Sequence, residues 1–208
     1  MNRAPEDTHL ILIRHGQINA NVEKRWHGWT DSSLNETGKK QAERAAARIA
    51  EEHPDVKALY ASPLERTRHT AEAIARILNL ELVLEPNLKE YGIGVLEDEF
   101  FLDLEHKHGF FSRIRTDLDF APEGGESVNQ VTDRITQAFE RFLQQHRGEK
   151  ILAVSHGAVM ALGLARLLHN NPLEWDRYYF QNTSVTEVTL GNSPQLLRFN
   201  CIQHLKDK

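Results

Sequence analysis

Apolar residues recur along this chain with two periods, and the two alternate. The run at 9–13 is short, β-branched and continuous, as a strand buried on both faces is, and strand-like apolar runs of similar length lie at 56–60, 80–84 and 150–154. Between them the spacing turns helical. Ala42, Ala45, Ala46 and Ile49 form one stripe, closed by Pro54; Thr70, Ala71, Ile74, Ile77 and Leu78 form a second. Val128, Val131, Ile135, Ala138, Phe139 and Phe142 form the longest, with Gly148 suited to its C-terminal stop. Residues 158–168 are apolar nearly all round, which predicts a buried helix. Near the C-terminus, 184–190 and 195–202 flank Gly191-Asn192-Ser193-Pro194, a hairpin signal.

Strands alternating with helices imply βαβ units. The predicted fold class is α/β: three layers, α/β/α, around a mostly parallel sheet covered on both faces. The length, 208 residues, suits a single domain over 1–208. One stretch breaks the rhythm. Residues 100–121 mix aromatics with charges and read as a small helical insertion, spanning about 98–125, that caps the site. No internal repeat or low-complexity tract is present.

Charge and cysteine usage narrow the partners. A net charge of -5 argues against a nucleic-acid or anionic-membrane footprint, which needs excess Lys and Arg, though not against a small cationic pocket. One cysteine, Cys201, leaves no internal disulfide and no Cys-based zinc site. The leader from Met1 to Asp7 is polar, with no apolar run behind it long enough for a secretory signal, and the apolar stretch at 158–168 contains Arg166 and is too short to span a bilayer. A cytoplasmic protein without membrane attachment is expected.

The unusual feature of the composition is its eleven histidines. Two occupy a telling position. His15 follows the first apolar run and precedes Gly16; His156 follows the fourth and precedes Gly157. Ligands of open parallel sheets bind outside the carboxyl ends of the strands, where both histidines fall. A third signal is Ser62-Pro63-Leu64-Glu65-Arg66. Serine as N-cap, proline at the first helical position and glutamate three after the cap make a capping box. Arg66 and Arg68 then lie near a helix N-terminus, where cations are disfavoured unless an anion is bound there. Solvation of both arginines is the plainer alternative.

Arg14-His15-Gly16 with Asn21 downstream resembles the histidine phosphatase superfamily, the phosphoglycerate mutase-like family. The likeness continues in order through Gly28, Asp31, Leu34, Gly38, Gln41 and Ala42; Leu64-Glu65-Arg66-Thr67 with Thr70-Ala71; and Leu88-Lys89-Glu90 with Gly94 and Glu97. Gly125-Glu126-Ser127, Ser155-His156-Gly157 and Asn182-Thr183-Ser184 complete it, so it runs from about Leu10 to Leu190.

The resemblance implies that His15 attacks phosphorus as a neutral imidazole and forms a phosphohistidine. Arg14, Arg66 and His156 would hold the phosphoryl oxygens, and Asn21 would donate to them. Glu90 would protonate the leaving alkoxide and then deprotonate water, which asks for a raised pKa. The cations are side chains, so neither metal nor cofactor is expected. Three positions depart from the family pattern: Gln17-Ile18 where Glu-Thr is common, His27 where Gln is frequent, and Asp98 where Gly is frequent.

Other residues invite less. His106 and His108 face different sides of a helix and do not read as a zinc pair. His53, His69, His146, His169 and His204 read as solvent-facing or helix-end residues, Lys39 and Lys40 as a solvated face, and Cys201 as a small core or edge residue. Trp26 and Trp29 read as loop packing. Three functions are compatible: a phosphomonoester hydrolase acting on a small phosphorylated metabolite, a mutase using 2,3-bisphosphoglycerate, and a silent phospholigand binder. The Gly125-Glu126-Ser127 tripeptide favours the hydrolase, and the presence of both His15 and Glu90 disfavours the silent binder. The insertion is expected to line the mouth of the site, with Gly28, Arg113 and Arg115 as substrate contacts and Phe100, Phe101, Phe110 and Phe111 as apolar walls.

Overall fold

Strand β1 (Thr8–Arg14) occupies the middle of a six-stranded sheet, because alternate residues are apolar towards both faces. The computed structural model describes residues 7–206, so Met1 to Glu6 of the polar leader lie outside the described residues. Leu10 and Leu12 enter one core, Ile11 and Ile13 the other, and all four are fully buried. Each such side chain contributes about 1.5–3 kcal/mol.

The remaining strands are β2 (Ala58–Ala61), β3 (Leu82–Leu84), β4 (Lys150–Ser155), β5 (Val185–Leu190) and β6 (Leu196–Cys201). Their order is β3-β2-β4-β1-β5-β6. The first four run parallel; β5 and β6 form the expected hairpin and pair antiparallel, β5 against β1. The sheet is therefore mostly parallel, as predicted.

Helices cover both faces. On the Ile11 side lie α2 (Glu36–Glu52) and α3 (Glu65–Leu78); α1 (Asn19–Glu23) is a single turn after β1. On the Leu10 side lie α6 (Val128–Gln145) and α7 (Gly157–His169). All six residues of the predicted α6 stripe are buried. Ser127 caps that helix reciprocally with Gln130: Ser127 Oγ accepts from the Gln130 amide at 3.2 Å, and the Gln130 side chain accepts from the Ser127 amide at 2.8 Å. The α3 stripe holds except at Ile77, which is 47% exposed because the helix has passed the edge of its neighbour by its last turn.

The stretch at 100–121 forms two short helices, α4 (Phe101–His106) and α5 (Phe110–Thr116). Leu104, Phe110 and Ile114 from these helices join the same core as α6 and α7.

One local expectation fails and another holds only in part. Ser62 does not cap α3: the helix begins at Glu65, Leu64 is its N-cap residue, and the Glu65 amide donates instead to Asp31 Oδ1 at 2.8 Å. The Ser62 hydroxyl is drawn elsewhere, to His156. His53 ends α2, one of its two expected placements, but does not face solvent. It is buried, its ring centroid 6.2 Å from that of His9 and its Nε2 3.7 Å from the buried carboxylate of Glu187. Burial lowers its pKa, against the pull of Glu187.

Among the described residues, no helix is long and apolar enough to cross a membrane, and no group of three or more His, Cys, Asp or Glu side chains is arranged to hold a metal.

Candidate active site

Strands β1, β4 and β2 end side by side, and Arg14, the last residue of β1, lies in register with Ser155, the last of β4. His15 comes next and is held from three sides. Its amide donates to the Ser155 carbonyl at 3.0 Å, its carbonyl accepts from Asn182 Nδ2 at 3.0 Å, and the following Gly16 amide donates to Thr70 Oγ1 at 3.0 Å. The ring Nδ1 sits 2.7 Å from the Gly16 carbonyl. A carbonyl only accepts, so Nδ1 carries the proton and Nε2 keeps its lone pair. Burial pushes this imidazole well below its ordinary pKa, and the charges of Arg66 and Arg14 push it further. A neutral ring with a free Nε2 is a nucleophile at neutral pH.

Cationic and hydrogen-bonding side chains surround it. The His156 and His15 ring centroids are 5.2 Å apart. His156 Nε2 meets Ser62 Oγ at 2.8 Å, while its Nδ1 is buried without a partner. Arg66 donates from Nη1 to the Thr30 carbonyl at 2.9 Å and from Nη2 to the Gly28 carbonyl at 2.7 Å. Arg14 Nη1 donates to the Phe180 carbonyl at 2.6 Å. The Nε atoms of both arginines are buried and unpartnered. Burial lowers both guanidinium pKa values, that of Arg66 to about 10, so both stay charged at neutral pH. An unsatisfied buried donor costs about 1–3 kcal/mol. Oxygens of a phosphoryl group placed among these nitrogens would satisfy them together.

Asn21 Oδ1 accepts from the Ile18 amide and from Asn182 Nδ2, both at 3.1 Å, which leaves the Asn21 Nδ2 hydrogens for the cleft this residue lines.

Glu90 reaches the cleft from the segment after β3. Its Oε1 accepts from the Tyr91 and Val159 amides, each at 2.9 Å, and its Oε2 from the Ala158 amide at 3.2 Å. The last two donors belong to the first turn of α7, whose N-cap residue is His156. A single helix terminus thus sets the Glu90 carboxylate beside His156. Behind Glu90, Arg134 donates to the carbonyls of Asn87 (2.9 Å), Lys89 (2.6 Å) and Glu90 (2.8 Å) and is clasped by both carboxylate oxygens of Glu126. Glu126 is the middle residue of the Gly125-Glu126-Ser127 tripeptide.

A profile of the histidine phosphatase superfamily (branch 1) matches residues 10–202. The chain belongs to this superfamily. Over 161 residues it is 38% identical to a metal-independent phosphoserine phosphatase of Arabidopsis thaliana, covering 74% of this chain and 66% of that protein. It is 33% identical over 191 residues to a probable phosphoglycerate mutase GpmB of Photorhabdus laumondii subsp. laumondii, covering 90% and 87%. A crystal structure of phosphoserine phosphatase from Entamoeba histolytica in complex with 3-phosphoglyceric acid superposes with a TM-score of 0.85 at 29% identity, covering 96% of this chain and 100% of that one.

Within this histidine phosphatase, Arg14, His15, Asn21, Gly28, Arg66 and Glu90 line one cleft, and His156 lies buried against it. Gly28 contributes its carbonyl to Arg66, and its φ of 44° with Glu97 Oε1 pressed against it leaves no room for a Cβ. Arg113 and Arg115 are not brought to the cleft: Arg113 stacks on the Phe120 ring at 3.6 Å and Arg115 pairs with Asp176 at 3.0 Å. Of the four expected phenylalanine walls only Phe101 lines the cleft; Phe110 is core, Phe111 stacks on Trp175, and Phe100 lies under Arg25. Trp26 is packed as expected but also forms part of the cleft wall.

The sequence places Ser62, Thr70 and Glu97 in motifs without showing that they act as supports, and gives no signal for Arg134; Glu97 accepts from the Trp29 amide (2.7 Å), the Thr30 amide (2.6 Å) and the Thr30 hydroxyl (2.6 Å). Two departures from the family pattern turn out to be partners, His27 Nδ1 lying 2.6 Å from Asp98 Oδ1. Asp98 adopts φ 67°, the left-handed region where glycine is at ease.

Proposed function

We propose that this histidine phosphatase hydrolyses a small phosphomonoester through a phosphohistidine on His15, without metal or added cofactor. His15 Nε2 attacks phosphorus as the ester P–O bond breaks, and Glu90 gives the leaving alkoxide its proton. Water then attacks the phosphohistidine, Glu90 takes a proton back, and the P–N bond breaks to release inorganic phosphate. Arg14, Arg66, His156 and Asn21 carry the charge on the equatorial oxygens. The observation that supports this reading best is the convergence of three buried, unpartnered nitrogens, Arg14 Nε, Arg66 Nε and His156 Nδ1, around a histidine held neutral with its Nε2 free. A cytoplasmic setting is part of the proposal, supported by the lone cysteine.

The test is phosphate release in the presence of EDTA across sugar phosphates, phosphoserine, phosphoglycerates, nucleoside monophosphates and aryl phosphates. Release that His15→Ala abolishes supports the reading. Efficient interconversion of 3- and 2-phosphoglycerate that depends on 2,3-bisphosphoglycerate, with little release, would make the protein a mutase instead.

A further inference from the structure

Beyond the phosphoryl end, the cleft changes character. Its cavity volume is about 150 Å³, which leaves space beyond a bound phosphoryl group. Its outer walls are Trp26, Phe101, Trp175, Tyr178, Tyr179 and Phe180. Two of the polar handles on these rings are already engaged: Trp26 Nε1 donates to the Tyr91 carbonyl at 3.1 Å, and the Tyr178 hydroxyl meets His169 Nε2 at 2.7 Å. Those side chains therefore offer ring surface rather than hydrogen bonds.

Among the described residues, the cation of this part of the cleft already has local partners. Arg25 is the one guanidinium lining it besides Arg14 and Arg66, and it is consumed locally. Its Nε donates to Glu23 at 2.9 Å, its Nη1 to the Asp98 carbonyl at 2.6 Å, and its plane lies 3.8 Å from the Phe100 ring centroid. At the mouth, Lys24 shares its groove with the carboxylates of Glu23 and Asp103. His27 belongs to the phosphoryl end, close enough for its charge to act on the His15 ring, and it faces Asp98. A carboxylate or second phosphate placed among the aromatic rings would be desolvated without a free counter-charge, whereas an apolar body would gain contact area.

We infer that the leaving group of the natural substrate is an aromatic or otherwise apolar alcohol, and that carboxylate-bearing and bisphosphorylated alcohols are poor substrates. This rests on the phosphomonoesterase reading and narrows it to a substrate class.

The test keeps the chemistry constant by comparing primary alkyl esters. Catalytic efficiency towards 2-phenylethyl phosphate should exceed that towards O-phosphoserine and 3-phosphoglycerate by about tenfold or more, chiefly through tighter binding, as filling an apolar pocket allows. Equal or higher efficiency with either carboxylate-bearing ester overturns the inference. Phe101→Ala removes an exposed ring that no core depends on, and Tyr179→Ala an exposed ring whose hydroxyl also meets Arg14; each should shrink the preference several-fold. Phe101→Arg should make 3-phosphoglycerate a better substrate. An unchanged preference in all three variants also overturns the inference. Calorimetric binding of the same three esters to His15→Ala reads the preference without turnover. Aromatic preference with no hydrolysis by the wild-type chain defeats the phosphatase reading alone; hydrolysis without that preference defeats this inference alone.

Discussion

Arg134→Met should separate the positioning of Glu90 from the binding of phosphate. The Arg134 and Glu126 side chains are only 14% and 12% exposed and meet at 2.7 Å. Removing one member of so buried a pair leaves the other charged and unpaired, at a cost of about 3–5 kcal/mol, and the carbonyls of Asn87, Lys89 and Glu90 lose a donor as well. Urea unfolding at pH 7 should show a loss of that size, a large share of the roughly 5–15 kcal/mol typical of a domain. Rates should respond unevenly. Alkoxide leaving groups need a proton from Glu90, and general acid catalysis is worth about 10²–10⁴-fold, so a loosened Glu90 should slow hydrolysis of 2-phenylethyl phosphate by about tenfold or more. Release of p-nitrophenolate needs no proton, so p-nitrophenyl phosphate should slow much less. Adding Glu126→Leu should restore much of the stability but not the alkyl-ester rate, since the carbonyl contacts stay lost. Equal slowing of both substrates, or a stability loss under about 1 kcal/mol, would refute the reasoning.

Glu97→Ala should lower turnover without abolishing folding, because the 28–30 loop that aims Arg66 loses three hydrogen bonds to one carboxylate; steady-state kinetics with p-nitrophenyl phosphate check this, and unchanged values would detach Glu97 from the site. Gly38→Ala should destabilise by about 1–3 kcal/mol and depress activity, since its Cβ would lie 2.7 Å from the Gln17 amide nitrogen, directly beneath the His15 loop; thermal melts and turnover read both effects. Stability should also fall between pH 7 and pH 5. His15 and His156 are buried neutral with pKa values well below 6.5, so only the unfolded chain takes up their protons; the stability is full above about 6.5 and declines as pH falls towards the folded values. His156→Gln should flatten the slope of urea-derived stability against pH, and an unchanged slope would refute the assignment.

Repeating patterns told most about buried elements and least about loops. The stripes of α2 and α6 and the apolar runs of β1 and β4 were readable because burial on one or both faces imposes a period on the residues themselves. The residues gathered in the cleft sit beside strand ends and helix starts, where position in the chain nearly fixes position in space. Arg113 and Arg115 were not readable in the same way. Whether an exposed arginine meets a substrate, an aromatic ring or an aspartate depends on which surface its helix packs against, and here Phe120 and Asp176 are closer than the cleft. Ser62 misled for a different reason: a histidine distant in the chain meets its hydroxyl at 2.8 Å, and the local amide its oxygen accepts from is that of Leu64, one residue ahead of the helix. His53 belongs with these, its burial set by β1 and β5 rather than by its own helix.

The placement of β1 also bears on how the chain is made. Strand β1 carries four consecutive fully buried apolar residues, and both its neighbours, β4 and β5, are encoded in the final third of the sequence. For most of synthesis it has no partner on either edge, which makes the nascent chain a candidate for chaperone capture and for edge-to-edge aggregation. Arg14 and Ser155 come into register only when that distant pairing closes, so the cleft cannot assemble before the sheet does. Recovery of turnover during refolding should therefore lag recovery of helix signal, making catalysis itself the reporter of the last long-range step.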